Sequence, residues 1–274
     1  MDWIQALLLG VVEGVTEYLP VSSTGHLILV QRLLGIGGGE AADAFAICIQ
    51  AGAIAAVLGL YRGRIAQILR GLLGRDAAGR LLLVNLLYAF APAVVLGLLL
   101  EKRIKAHLFN LPAITAAWLV GGLAILAASR WARREGRGDG KPLEELTTAG
   151  ALTIGFLQCV AMWPGTSRSL VTILGGLLAG LGVGPAVEFS FLLGVVTLSA
   201  ATAHDVWTHG AAMVSAYHWP SLLVGFAAAT VAAAAAVKWM VGYLRRHGLA
   251  VFGWYRILLA LGAGGALLTG RLVG

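Results

Sequence analysis

Two carboxylates and a run of hydroxyls mark where this chain could do chemistry. Within LGVVEGVTEYLP, Glu13 and Glu17 stand four residues apart on an apolar helix, which puts both on one face. A carboxylate at a bilayer centre costs about 2.5–3.5 kcal/mol on insertion scales. Two together repel unless a cation or a proton lies between them. One reading pairs them with Arg168 or with a helix N-terminus. The other makes them ligands of a divalent cation, because oxygen ligands suit Mg²⁺ or Ca²⁺ and Mg²⁺ commonly uses one or two carboxylates plus substrate phosphates. Directly downstream, Ser22, Ser23, Thr24, Gly25 and His26 gather hydroxyls, a flexible glycine and a titratable imidazole. A serine needs an adjacent base to become reactive, and histidine is the side chain best suited to proton transfer near neutral pH. Three arrangements stay open: Ser23 as nucleophile with His26 as its base, His26 itself as nucleophile beside phosphate-binding hydroxyls, or His26 as a plain packing residue.

A second cluster, WPGTSRSLVT, carries Ser167, Arg168, Ser169 and Thr172 where the chain resumes a helix after Pro164 and Gly165. Free N–H groups and the positive dipole end at a helix start attract anions. Hydroxyls add donors, and the guanidinium of Arg168 offers a fork that fits phosphate. Glu188, at the start of EFSFLL, reads either as a helix-start cap or as a catalytic carboxylate, while Gln50, Arg256 and His204 read as packing, pairing or loop residues. Carboxylates for a metal, a hydroxyl–imidazole cluster and an arginine–serine cradle together describe phosphoryl transfer: the metal neutralises phosphate charge, Arg168 holds the transferring group, and the nucleophile attacks in line.

The elements that must position these residues are membrane helices. Only 12 % of the 274 residues are charged and 59 % are hydrophobic, with a mean hydropathy of +0.85. A soluble domain carries about 25 % charged residues, so the chain reads as an all-α, multispanning integral membrane protein. Disorder, collagen-like repeats and a disulfide-stapled secreted module are excluded. Cys48 and Cys159 lie far apart in apolar stretches and read as buried free thiols. The N-terminus lacks a basic segment and an A-x-A cleavage site, so no cleaved signal peptide is expected. The membrane setting implies a lipid substrate whose tail stays in the bilayer, and a diphosphate head would suit both a metal and an arginine clamp.

Six stretches are long and apolar enough to cross, approximately 44–61, 81–100, 112–130, 188–204, 221–243 and 251–270. Two more, about 1–35 and 149–182, are broken by LPVSSTGH and WPGTSRS. Pro20 and Pro164 remove backbone donors, and broken backbone at membrane depth survives only where protein or a water-filled cavity surrounds it. Both are read as re-entrant helical hairpins. They also match each other: Gly10, Glu13 and Tyr18 align with Gly155, Gln158 and Trp163, and, after a one-residue gap, Pro20, Ser22 and Ser23 align with Pro164, Thr166 and Ser167. The same offset carries Phe45 onto Phe189. The chain thus reads as a single membrane domain of two repeats, 1–140 and 149–274, each a hairpin followed by three spans. An odd number of crossings inverts the second.

Charge placement supports that topology. Arg62, Arg64, Arg70, Arg75 and Arg80 fall in one connection, Arg130, Arg133, Arg134, Arg137 and Lys141 in the linker between the repeats, and Lys238, Arg245 and Arg246 near a third. The alternating topology puts all three on one face, made cytoplasmic by the positive-inside rule. The connection from Ala203 to Pro220 has no Lys or Arg and falls on the other face; Lys102, Arg103 and Lys105 run against the pattern. The net charge of +7 is therefore mainly an orientation signal, and a nucleic-acid partner is not expected.

EGVTEYLPVSSTGH together with PGTSRSLVT, and the stretches around DAFAICIQAGAIAAV and EFSFLL, resemble the bacterial undecaprenyl-diphosphate phosphatase family, also called bacitracin-resistance proteins. The resemblance runs over nearly the whole chain. It implies a multi-pass enzyme of the bacterial inner membrane that hydrolyses undecaprenyl diphosphate to the monophosphate, recycling the carrier lipid for peptidoglycan and other envelope polymers. It also implies dependence on a divalent cation and an active site open to the periplasm. The family's glutamate motif falls on Glu13 and Glu17, its serine–histidine segment on Ser22, Ser23 and His26, and its arginine motif on Pro164 through Thr172, with Arg168 binding phosphate. Two positions depart from the family pattern, Leu170 where glycine is expected and Val196 where a proline often stands, and both bear on local backbone geometry. On this reading Ser23 is the nucleophile, His26 its proton-transfer partner, Glu13 and Glu17 the metal ligands, and Ser22, Thr24, Ser167, Ser169 and Thr172 accompany Arg168 in binding substrate. A transporter or flippase of a phosphorylated polyprenyl lipid is the alternative, and a homodimer stays open.

Overall fold

A computed structural model describes residues 2–37, 39–134, 140–216 and 219–270. Among them the regular structure is helical, with no strands beyond one isolated bridge between Lys141 and Leu181. Five helices are long and apolar enough to cross a membrane, and a bent pair makes a sixth candidate. Broad apolar belts of exposed side chains, such as Leu98, Leu99, Val231, Leu258 and Leu261, would face hydrocarbon and not water.

The first broken stretch forms α1 (Trp3–Tyr18) and α2 (Ser23–Leu33). A reciprocal capping box starts α1: Asp2 accepts from the Gln5 amide at 2.8 Å, and Gln5 accepts from the Asp2 amide at 3.1 Å. Pro20 ends it by forcing Leu19 into extended backbone. The second broken stretch repeats this plan in α7 (Thr148–Gln158), a 3₁₀ turn over Cys159–Met162, and α8 (Arg168–Leu178), with Trp163 extended before Pro164. Helix α2 then starts at Ser22 and α8 at Ser167. Both are caps in a left-handed backbone, at φ 74° and 78°, where non-glycine residues are uncommon. This corrects the aligned register. Ser22 corresponds to Ser167, not to Thr166, and Ser23 to Arg168, because the second break holds one extra residue, Gly165, at φ +93°.

The candidate spans surround these pairs: α3 (Glu40–Leu60), α5 (Ala77–Leu108), α6 (Leu111–Arg134), α9 (Val183–Ala216), α10 (Trp219–His247) and α11 (Ala250–Leu268). All but α11 run longer than expected. In particular, α9 continues through most of the region read as a connection from Ala203, since no proline interrupts it before Pro220 and polar residues alone do not stop a helix. It also passes Val196 without a break. The arginine-rich connection after α3 is not a loop but α4 (Arg62–Leu72), turned 82° from α3. The basic end of the linker extends α6 as far as Arg134, whereas Arg137 lies outside the described residues.

Packing crosses between the halves. Helix α1 lies along α10 and α7 along α5, while α3 meets α9 and α6 meets α11. The close approaches match as well. A methyl group at Gly10 would strike the Gly225 carbonyl of α10, and one at Gly155 would strike the Ala89 carbonyl of α5 at 2.6 Å. Phe45 and Phe189 are both buried. At one end, Arg64 of α4 bonds Glu144 at 2.9 Å and Glu188 at 2.6 Å, and Lys141 exchanges backbone bonds with Gly180 and Gly182. Glu188 is thus a bridging anion in the second turn of α9, and neither a helix-start cap nor part of the hydroxyl clusters.

Candidate active site

The two breaks meet in the interior. Ser169 donates to the Leu19 carbonyl at 2.9 Å, and the Arg168 guanidinium reaches across to Glu17, Nη2 to Oε1, at 3.0 Å. Around this junction is a cavity of about 110 Å³ lined by Glu17, Ser22, Ser23, Thr24, Ser167 and Arg168, with Gln50 of α3. A larger cavity of about 680 Å³ adjoins it. Ser23, Thr24 and Gln50 line both, and Glu13 with apolar Leu27, Ile28 and Phe109 line the larger one. Most predicted site residues, from segments about 150 positions apart, therefore share one interior space.

Helix starts put the reactive groups there. Ser23 is the first residue of α2 and Arg168 the first of α8, so each projects from a turn whose N–H groups lack intrahelical partners. The caps Ser22 and Ser167 satisfy only some of these, through Gly25 at 3.5 Å and Leu170 at 3.3 Å. Two helix N-termini thus border the small cavity, and both favour an anion.

Ser23 Oγ donates to Glu17 Oε2 at 2.5 Å, a short bond of the kind made to a charged acceptor. Glu17 therefore holds the serine with one oxygen and the arginine with the other. The expected contact between Ser23 and His26 is absent: His26 Nδ1 bonds the Ser22 carbonyl and Nε2 bonds the Tyr255 hydroxyl, each at 2.7 Å, and the ring lies against Trp118 and Tyr255. With both ring nitrogens engaged, His26 braces the tip of the first break. Ser169 and Thr172 also differ from expectation. Both are fully buried, Thr172 bonding the Arg168 carbonyl and the Ser190 hydroxyl, and neither lines either of these two cavities. Their hydroxyls are consumed in tying α8 to α9 and to Leu19.

Arg168 is held at a second point, Nη1 donating to the Ser190 carbonyl at 2.9 Å, while its Nε is buried without a partner. Its planar head rests on Gly194 of α9, where any Cβ would overlap the guanidinium. Nothing in a sequence read alone ties Gly194 to the site, because the requirement is a tertiary one. Gln50, read as a packing residue, accepts from Thr202 at 3.2 Å between the two cavities. His204 Nδ1 lies 3.6 Å from neighbouring Asp205, itself part of the larger cavity's lining.

Glu13 is 2 % exposed, and its Oε2 has no hydrogen-bond partner. An orphaned buried carboxylate oxygen calls for a cation or a proton. Among the described residues no group of three or more His, Cys, Asp or Glu could hold a metal. Two carboxylates one helical turn apart fit a hard divalent cation whose remaining ligands are oxygens of substrate and water.

Known proteins are similar to this chain over nearly its whole length. A sequence model of one protein family, described as Bacitracin resistance protein BacA, matches residues 6–262. An undecaprenyl-diphosphatase of Sorangium cellulosum is 47 % identical over 96 % of this chain and 85 % of its own length. Undecaprenyl-diphosphatase 2 of Rhodospirillum rubrum is 45 % identical over 94 % and 92 %, and an undecaprenyl-diphosphatase of Methylococcus capsulatus 44 % identical over 95 % and 93 %.

Proposed function

Because the chain belongs to the Bacitracin resistance protein BacA family, we propose that it hydrolyses undecaprenyl diphosphate to undecaprenyl phosphate and inorganic phosphate, returning the carrier lipid to envelope synthesis. The observation that carries the mechanism is Glu17, which binds the Ser23 hydroxyl with one oxygen and Arg168 with the other. That geometry gives Ser23 an adjacent base and supports Glu17, in place of His26, as the proton acceptor. Diphosphate entering the small cavity replaces the carboxylate as a partner of Arg168, whose Nη2 and unpartnered Nε can then serve phosphate oxygens. Amides at the starts of α2 and α8 supply further donors, as do Ser22, Thr24 and Ser167.

In the first step Ser23 Oγ attacks the terminal phosphorus and its proton passes to Glu17. The bond from phosphorus to the bridging oxygen breaks, undecaprenyl phosphate leaves with the electron pair, and Glu17 returns the proton to it. In the second step Glu17 takes a proton from water, whose oxygen attacks the phosphoserine. The bond to Ser23 Oγ breaks, phosphate departs, and Glu17 reprotonates the serine. Arg168 opposes the charge that builds on the equatorial oxygens in both steps. Glu13 and Glu17 would hold a divalent cation together with phosphate oxygens, and its chemistry when bound is charge neutralisation.

The same proposal covers the architecture: six spans and two re-entrant hairpins in one membrane domain, arranged as inverted repeats 1–140 and 149–274. The reciprocal packing of α1 on α10 and α7 on α5 supports it. The basic segments around Arg64 and Lys141 gather at one end, joined through Glu144, Glu188 and Gly180. The large cavity is lined instead by Phe109, which ends α5, and by Asp205, toward the other end of α9 from Glu188. In the bacterial inner membrane the linker is then cytoplasmic and the cavity opens to the periplasm.

The deciding assay is phosphate release from undecaprenyl diphosphate by the purified protein, with and without a chelator. Release that is abolished by Ser23→Ala, together with a trapped phosphoserine at Ser23, is the expected result. A trapped phosphohistidine at His26 would overturn the assignment. For orientation, Asp205→Cys in whole cells should react with a membrane-impermeant thiol reagent, and Arg75→Cys only after lysis.

A further inference from the structure

Arg256, on α11, is fully buried, with 0 % exposure. Its hydrogen-bond acceptors are all backbone carbonyls. Nη1 donates to Pro20 at 3.3 Å, Nη2 to Gly165 at 2.8 Å and to Ala117 at 2.8 Å, and Nε to Trp118 at 3.4 Å. Two of these acceptors belong to α6. The other two are the tips of the two breaks, where proline has disrupted the helix and left carbonyls without intrahelical donors. Pro20 stands three residues before Ser23, and Gly165 three residues before Arg168. A single rigid fork therefore spans the breaks that carry the nucleophile and the phosphate clamp. Room for it is built in: a Cβ at Gly121 of α6 would occupy the place of the guanidinium. The preceding residue on α11, Tyr255, holds His26.

We propose that Arg256 is a positioning residue that sets the separation between Ser23 and Arg168 by binding both tips at once. The mechanistic half of this inference rests on the proposed phosphatase activity. Arginine is required for geometry and not for charge alone, since the compact ammonium of lysine cannot reproduce a planar fork that reaches four carbonyls. A displacement on the order of 1 Å between reacting groups costs about a hundredfold in rate. The effect should fall on kcat, because the groups that contact the diphosphate are untouched.

The test compares the wild type, Arg256→Lys and Gly121→Ala, purified in detergent, by steady-state hydrolysis of a polyprenyl diphosphate and by hydrogen exchange of the folded protein. Both variants should lose at least about tenfold in kcat with KM within about twofold. Amides at 19–26 and 163–170 should exchange faster in both, while those of α5 and α9 keep their rates. The Gly121→Ala variant retains the arginine, so it separates displacement of the planar fork from its replacement by a compact ammonium. Wild-type rates in Arg256→Lys with unchanged exchange at the tips would overturn the inference. So would a kcat loss matched by a uniform rise in exchange across the molecule, which signals general unfolding. A wild type inactive on every polyprenyl diphosphate would instead overturn the phosphatase reading, and exchange at the two tips would still decide whether Arg256 holds them.

Discussion

The first residue of α2 is Ser23 and the first residue of α8 is Arg168, and they occupy the same address in the two broken segments. The surroundings match closely: extended backbone before a proline, then a serine cap at φ 74° or 78°. The side chains do not. One segment carries the proposed nucleophile and the acids, with Glu13 where the other has Gln158; the other carries Arg168. Gln158 makes ordinary bonds to the Ala89 carbonyl and to Thr197, whereas Glu13 keeps an unsatisfied oxygen. The two broken segments thus aim two helix starts at one space, and they differ in the side chains that they carry there. Opposite charges also join the two segments, through the bond between Glu17 and Arg168.

The largest effect should come from removing that asymmetry. Arg168→Ala or Glu17→Gln should lower kcat by about 10²–10³ in phosphate release from undecaprenyl diphosphate, and a normal rate in either would break the division of roles. Gly194→Ala leaves every charge in place but drives a methyl group into the Arg168 guanidinium. It should cost about a hundredfold in kcat while the protein remains folded by thermal melting. Glu13→Gln, which makes the first segment resemble the second, should raise the divalent-cation concentration for half-maximal activity by about tenfold, the loss of one charged contact. An unchanged cation requirement would remove Glu13 from the cation site. Smallest of all, Ser167→Ala should destabilise by about 1 kcal/mol as a lost helix cap, read from denaturation, and Ser22→Ala by a similar amount. Unequal costs would show that the two breaks are less alike than their backbones.

Much of this was legible from residue types. Pro20 and Pro164 end helices because a proline restricts its predecessor, and that rule operates without tertiary context. Carboxylates and an arginine inside apolar stretches stand out because charge there is costly. Register across the breaks was not legible, since the additional residue, Gly165, can be placed only by seeing which serine caps the helix. That His26 bonds elsewhere than to Ser23 was not legible for a related reason. It lies three residues from Ser23 in sequence, yet its ring nitrogens are taken by the Ser22 carbonyl and by Tyr255, which is 229 positions distant. Thr172 and Ser169 looked like phosphate ligands by composition, yet the packing of α8 against α9 and Leu19 uses their hydroxyls.

By itself, the sequence determined that this is an all-helical membrane protein with two broken segments, and it determined which charged side chains must be met inside the bilayer. Those properties follow from local rules: hydropathy, proline geometry and the cost of a buried charge. Tertiary structure alone decided which groups touch. Glu17 rather than His26 faces Ser23, Gly194 makes room for Arg168, and Arg256 ties both breaks. Such contacts join residues far apart in the chain, and their geometry depends on packing between helices that no single stretch of sequence encodes.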